Sequence, residues 1–254
     1  MPLKPFTLAV LECDQPLDQA RIHRGGHTGV WSALFADAAD AQGIPRDRIN
    51  VIGYNAEEGL PTLDGSGNKD TDEDKIDAVL VSGSRYNAWG DDAWIINLVG
   101  FVRECVEKKV PVIGICFGHQ IVGRALGAEV GRSENGWEVA PTRLVVSEAG
   151  KGVFGKDEIT LHLMNRDIVK TCPPNMEILA SNTNGKIHSL YRPGAIFTVQ
   201  GHPEFNGEII KELLKMRIES GVVPEDTGND GIGRAALPHD GLAVTIAFWK
   251  FLGI

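Results

Sequence analysis

The segment Gly114-Ile115-Cys116-Phe117-Gly118 sets a cysteine between two glycines, directly after the apolar run Val110-Pro111-Val112-Ile113-Gly114-Ile115. The run reads as a short buried strand, and Phe117 to Leu126, rich in small residues, reads as a helix. A nucleophile mounted on such a strand-to-helix turn is pushed into the open by a sharply bent backbone, as serine is in a G-x-S-x-G elbow. The start of a helix also aims unpaired N–H groups and a positive dipole end at the sulfur, which favours thiolate over thiol. Gly114 and Gly118 are expected to clear side chains from the path of an approaching substrate. A cysteine that only packs, as most free cysteines do, has no use for that clearance.

A cysteine nucleophile needs a base, and of seven histidines His202 stands apart because it follows a strand-like run, in Val199-Gln200-Gly201-His202-Pro203-Glu204-Phe205. A residue before proline is biased towards extended geometry. In an extended chain His202 and Glu204 share one side, with Cα atoms roughly 6 to 7 Å apart. Glu204 can then fix the tautomer of the imidazole and stabilise the imidazolium, as the acidic member of a catalytic triad does. His119, His162 and His188 are rival bases, but none has an acidic residue two positions on.

The elements that must position these groups alternate in the first half. Thr7 to Leu11, Ile49 to Ile52, Ile76 to Val81 and the run before Cys116 read as strands. Helices are expected around Trp31 to Ala38 and from Asp92 to Lys108, the latter with Ile95, Leu98, Val99, Val102 and Val106 on one face. The polar segment from Asn55 to Lys75 reads as a solvated loop. This βαβ rhythm implies a parallel sheet covered on both faces. The second half is richer in strands, at Leu144–Val146, Ile159–Leu163, Ile178–Ala180, Ile187–Tyr191 and Ala195–Val199. Two helices, Glu208 to Glu219 and Gly241 to Leu252, close the chain, and Ser220 to Asp240 reads as a mobile excursion without periodicity. Neither an internal repeat nor an interdomain linker is evident.

The composition, 43% hydrophobic and 23% charged over 254 residues, suits one globular α/β domain with a sizeable core. A net charge of -9 argues against a general affinity for nucleic acid or an anionic membrane. The first strand begins almost at the N-terminus, and no run reaches membrane-spanning length, so neither a leader nor a membrane anchor is expected. Cys13, Cys105, Cys116 and Cys172 form no C-x-x-C pair and are too sparse for a disulfide framework, which points to a reducing, cytoplasmic setting.

Gly114 to Gln120, with His202-Pro203-Glu204 following 86 residues after Cys116, resembles the signature of the class I, triad-type glutamine amidotransferases. The strand end Val79-Leu80-Val81-Ser82-Gly83 matches a third landmark of that family. The resemblance implies a single domain over residues 1–254 with a flavodoxin-like fold: an open, mostly parallel sheet, helices on both faces and a β-rich second half, the cysteine at the carboxyl end of a central strand. It further implies attack of Cys116 on the side-chain carboxamide of glutamine, departure of ammonia protonated by His202, and hydrolysis of the glutamyl thioester. Backbone N–H groups of Phe117 and of Gly83 or Ser84 would hold the oxyanion, each worth about 3 kcal/mol in the transition state. Gln120, Asn165, Arg166 and Trp137 are the implied substrate-binding residues. No cofactor and no metal are expected.

The chain departs from the family pattern in two places. Gly83-Ser84-Arg85 stands where relatives carry two glycines and a proline, and a serine resists positive φ, which leaves the donor as either Gly83 or Ser84. Met164-Asn165-Arg166-Asp167 falls where relatives have a histidine-containing turn lining the amino-acid pocket. The sequence contains no Walker A loop, so activation of an acceptor by ATP is expected of a separate synthetase supplied with ammonia, as in GMP synthase. Alternatives are hydrolysis of γ-glutamyl peptides of the glutathione-conjugate type, and a catalytically silent binding module.

Overall fold

The computed structural model describes residues 4–15, 25–63, 75–182 and 186–254. Four strands of the first half, β1 (Phe6–Glu12), β2 (Ile49–Asn55), β3 (Ala78–Val81) and β4 (Val112–Ile115), join β11 (Ile196–Val199) in a parallel block ordered β2-β1-β3-β4-β11. Alternation along these strands feeds two cores. Leu8, Val10, Leu80, Ile113 and Phe197 face one side, where α1 (Gly26–Gln42) brings Trp31 and Phe35 and α7 (Gly241–Leu252) brings Phe248 and Trp249. Ala9, Leu11, Val79, Val81 and Val112 face the other, against Ile95, Leu98 and Val102 of α2 (Ala93–Glu107) and Phe117 and Ile121 of α3 (Phe117–Ala125). Each large side chain so buried contributes roughly 1.5–3 kcal/mol. The sheet with both faces covered is the architecture expected of the βαβ rhythm.

Beyond β11 the sheet turns antiparallel through β10 (Ile187–Arg192), β9 (Glu177–Ser181), β6 (Glu138–Val146) and β7 (Glu158–Asn165), with the short pair β5 (Val130–Arg132) and β8 (Asp167–Val169) beside β10. Strands β6 and β7 are several residues longer than the patterns suggest, and their register sets Glu138 opposite Asn165. A further short helix, α4 (Glu148–Phe154), is capped by Ser147.

The expected excursion at 220–240 is in fact ordered around a helix, α6 (Glu225–Arg234), which lies between α5 (Gly207–Glu219) and α7. Its contact face is made largely of glycine, with the side chain of Ile232 packed beside it. A Cβ at Gly231 would lie 2.8 Å from Leu214 and 2.9 Å from Val139, and one at Gly228 2.5 Å from Ile218. At its C-terminal end Arg234 donates to the carbonyls of Val139 and Pro141, on the β6 edge away from β7. Residues 64–74 of the polar segment lie outside the described residues. Among the described residues, no helix is long and apolar enough to cross a membrane, and no group of three or more His, Cys, Asp or Glu is placed to hold a metal ion.

Candidate active site

Cys116 occupies the turn between β4 and α3 with φ 51° and ψ -100°, a conformation that costs a non-glycine residue roughly 1–3 kcal/mol. Its N–H is tied to Val199 O at 2.9 Å, so the strained residue is anchored to the neighbouring strand. The flanking glycines serve packing and not substrate clearance. A Cβ at Gly118 would sit 2.1 Å from Val81 O, and one at Gly114 2.7 Å from Gly118 O, so both are needed for α3 to lie directly on β3 and β4. That close approach also lets Gly118 N–H donate to Ser82 O at 3.2 Å, which fixes the end of β3 against the start of the helix.

His202 stands just past β11, on the strand next to that of Cys116. Its N–H donates to His162 O at 2.8 Å in an isolated antiparallel bridge. The chain then turns instead of continuing extended: Pro203 and Glu204 form a turn in which Phe205 N–H reaches His202 O at 3.3 Å. Even so, Glu204 Oε1 lies 2.7 Å from His202 Nδ1. Cys116 is close enough to the imidazole to act on its charge, and both residues border one cavity. Burial works against a charged imidazole here, yet the Glu204 carboxylate and the Cys116 sulfur together outweigh it and push His202 up to about 10. Phe205, which no sequence signal marked, stacks on the imidazole with ring centres 3.9 Å apart and planes 8° from parallel. Asn206 then caps α5 through Glu208 N–H and Ile209 N–H, starting a helix immediately beside the histidine.

Gly83 lies across the ring, where a Cβ would come within 2.7 Å of His202 Cε1. Neither Gly83 nor Ser84 has a positive φ, so the serine is accommodated without strain. The rival histidines border neither of the cavities that reach Cys116. His119 Nδ1 lies 2.7 Å from Thr198 Oγ1, and burial, with His188 nearby, pushes it down to about 3. His162 is pushed down to about 4 by burial and by His239 and His202, whereas His188 Nε2 faces Glu138 Oε1 at 3.5 Å.

Two cavities meet at the sulfur. The first, of about 390 Å³, is polar and is lined by Gln120, Arg132, Trp137, Asn165, Arg166 and Asp167. The four residues singled out by sequence for substrate binding all reach it, though Gln120 Nε2 is already committed to Asp167 O and Gln200 Oε1. Asn165 Nδ2 points back to Glu138 and Asp167 O, while its buried Oδ1 has no hydrogen-bond partner. The Asp167 carboxylate is held by Arg132 at 2.8 Å and by the Trp89 indole at 3.0 Å. Behind this wall Glu138 gathers Asn182 at 2.7 Å and the buried Lys186 ammonium at 3.3 Å. Burial alone would raise this carboxyl, but His188, Lys186 and Asn182 hold it down to about 2. Asp167 ends a segment that the sequence placed at the amino-acid pocket, but its grouping with Arg132 and Glu138 carries no sequence signal because only the pairing of β6 with β7 and of β5 with β8 brings them together. The second cavity, of about 360 Å³, is lined by His202, Glu204 and Phe205 on one side and by Val30, Ile209, Leu213 and Met216 on the other. Ser84, Arg85, Cys116, Met164 and Arg217 border both cavities.

The family model for glutamine amidotransferase class-I matches residues 50–219, a span that contains the elbow and the His-Pro-Glu turn. The chain belongs to the class I glutamine amidotransferases. Among its relatives within and around this family, a protein named glutamine amidotransferase-like in Schizosaccharomyces pombe is 32% identical over 257 residues, covering 97% of this chain and 98% of the relative. Gamma-glutamyl peptidase 3 of Arabidopsis thaliana is 30% identical over 218 residues, covering 83% and 81%. One of the subunits of the glutamine-hydrolyzing GMP synthase of Methanococcus aeolicus is 36% identical over 120 residues, 44% of this chain and 62% of that one. The crystal structure of a glutamine amidotransferase from Thermotoga maritima superposes with a TM-score of 0.72 at 14% identity, over 99% of this chain and all of that one (100%), a likeness of fold. This class I amidotransferase therefore has the flavodoxin-like α/β fold of its structural neighbours.

Proposed function

We propose that this class I amidotransferase hydrolyses the amide of a γ-glutamyl group with Cys116, His202 and Glu204. The observation that carries the reading is a cysteine on a strained elbow beside a histidine whose Nδ1 meets the Glu204 carboxylate at 2.7 Å. Thiolate attack on the γ-carbonyl carbon pushes charge onto its oxygen. Gly118 N–H is occupied by Ser82 O, so the N–H of Phe117 is the helix donor left to receive that charge, with the backbone of Gly83 or Ser84 alongside. Collapse of the adduct breaks the C–N bond as His202 hands its proton to the departing nitrogen. Water, deprotonated by His202, then cleaves the thioester and releases glutamate.

The polar cavity suits the amino-acid end of the glutamyl group. Arg166 offers a charge to its α-carboxylate and the unpartnered Oδ1 of Asn165 an acceptor to its α-ammonium, between Gln120 and Trp137. With glutamine the product is ammonia, for use by a separate synthetase, a reading supported by the GMP synthase relative. The gamma-glutamyl peptidase relatives favour a second reading, in which the departing group is an amine or peptide.

Glutamate release from glutamine and from γ-glutamyl peptides by wild-type and Cys116→Ser protein tests the chemistry. Loss of at least about a thousandfold is expected on removing the sulfur nucleophile. Undiminished turnover by Cys116→Ser would remove the proposed nucleophile.

A further inference from the structure

The amine side of the substrate is decided by geometry around His202. In the tetrahedral adduct the carbon carries the sulfur, the oxyanion, the acyl chain and the departing nitrogen. The nitrogen must face the imidazole that protonates it. His202 and Glu204 border only the second cavity, whereas Gln120, Asn165 and Arg166 border only the first. An acyl chain lying among the polar residues therefore directs the nitrogen and whatever it bears into the second cavity. Ammonia, close in size to water, would occupy about 30 Å³. The cavity offers about 360 Å³, roughly ten times more.

Its far wall is chemically specific. Ile209, Leu213 and Met216 recur at helical spacing along α5 and face the cavity, while Ile210 and Leu214 of the same helix fill the core against Val139 and Ala140. Helix α5 thus carries two apolar faces and spends only one on the core. The stacked Phe205 and Val30 complete an apolar enclosure around the imidazole. At the mouth, Arg85 is paired with Asp14, but Arg217 meets no carboxylate among the described residues. An unpaired guanidinium beside an apolar enclosure fits an apolar side chain together with a carboxylate.

Building on the proposed γ-glutamyl hydrolysis, we infer that the second cavity is a leaving-group site, and that the preferred substrates are γ-glutamyl amides of apolar α-amino acids. Their side chain lies against Leu213 and Met216 and their carboxylate on Arg217. The products are glutamate and the free amino acid, with water the only other reactant.

Four compounds separate the contributions: glutamine, γ-glutamylglycine, γ-glutamylphenylalanine and γ-glutamylphenethylamine, which lacks the carboxylate. The expected kcat/KM, followed as glutamate release, is at least about tenfold greater for γ-glutamylphenylalanine than for glutamine or γ-glutamylglycine. Leu213→Asp should reduce the ratio of γ-glutamylphenylalanine to glutamine by about tenfold. Met216→Asp, at a position already 50% exposed, does the same should the first variant fail to fold. Arg217→Gln should weaken γ-glutamylphenylalanine about tenfold more than γ-glutamylphenethylamine. Glutamine turned over as well as the phenylalanine compound, or ratios that none of these variants moves, overturns the leaving-group site while leaving the triad chemistry standing. No glutamate from any of the four overturns the hydrolase reading itself, and this inference with it.

Discussion

Glu204 and Glu138 are both carboxylates largely withdrawn from solvent beside a histidine, yet their surroundings diverge. Glu204 spends one oxygen on His202 Nδ1, and its other oxygen, buried, has no hydrogen-bond partner. Glu138 has both oxygens engaged, one by Asn182 and the other by Asn165 and Lys186, with His188 held at 3.5 Å. The first arrangement suits the proton traffic proposed between His202 and Cys116, since a single carboxylate oxygen meets the ring. The other locks a charge between the segment of Asn182 and Lys186 and that of Asn165, bracing the wall of the polar cavity. A carboxylate next to a histidine is thus a chemical device or a structural rivet according to how many other donors surround it.

The largest expected effect separates the two in rate. Glu204→Gln should lower kcat by about 10³–10⁴, because a neutral amide neither fixes the imidazole tautomer nor stabilises its charge. The same variant removes one of the influences that raise His202, so the alkaline limb of the kcat/KM profile should move to lower pH. The sign follows from linkage: stability supplied by a histidine raised to about 10 is complete below its ordinary value and is lost as pH climbs through about 10. An unmoved alkaline limb would detach Glu204 from the ionisation of His202.

Next in size is a loss of stability. Glu138→Gln strands the Lys186 ammonium in the interior and should reduce the unfolding free energy by about 3–5 kcal/mol, read from urea titrations at pH 7. For the wild type the contribution of Glu138 is present above the ordinary carboxyl value and disappears as pH falls through about 2. The gap between the two proteins should therefore narrow at pH 3. An equal gap at both pH values would mean that the carboxylate charge is not what Lys186 needs. Smallest is Phe205→Leu, which removes a ring stacked on His202 but nothing near His188. A fall in kcat of about three- to tenfold is expected from a contact of this kind, with stability nearly intact.

The parallel half of the fold and the elbow were legible because their signals are local. Apolar runs of strand length, a cysteine between glycines and a histidine before proline each depend on a few neighbouring residues. Even so, the glycines flanking Cys116 misled as to purpose: which backbone presses on Gly118 depends on β3, thirty-odd residues away in sequence. Helix α6 was invisible to hydrophobic periodicity because Gly228 and Gly231 form most of its contact face. The turn at Pro203 differs from the extended geometry expected of its sequence, yet Glu204 meets the imidazole, since a turn also folds a side chain back over its predecessor. Asp167, Arg132 and Glu138 could not be assembled from sequence, for their contacts arise only when antiparallel strands find their register.

Cys116 and His202 face each other because β4 pairs with β11, and the thiol is emplaced long before its companion exists. A polypeptide still emerging from the ribosome holds residue 116 without that imidazole until the stretch ending at Glu204 has been made. Whatever chemistry the pair supports is therefore out of reach for most of synthesis, since neither strand supplies both groups.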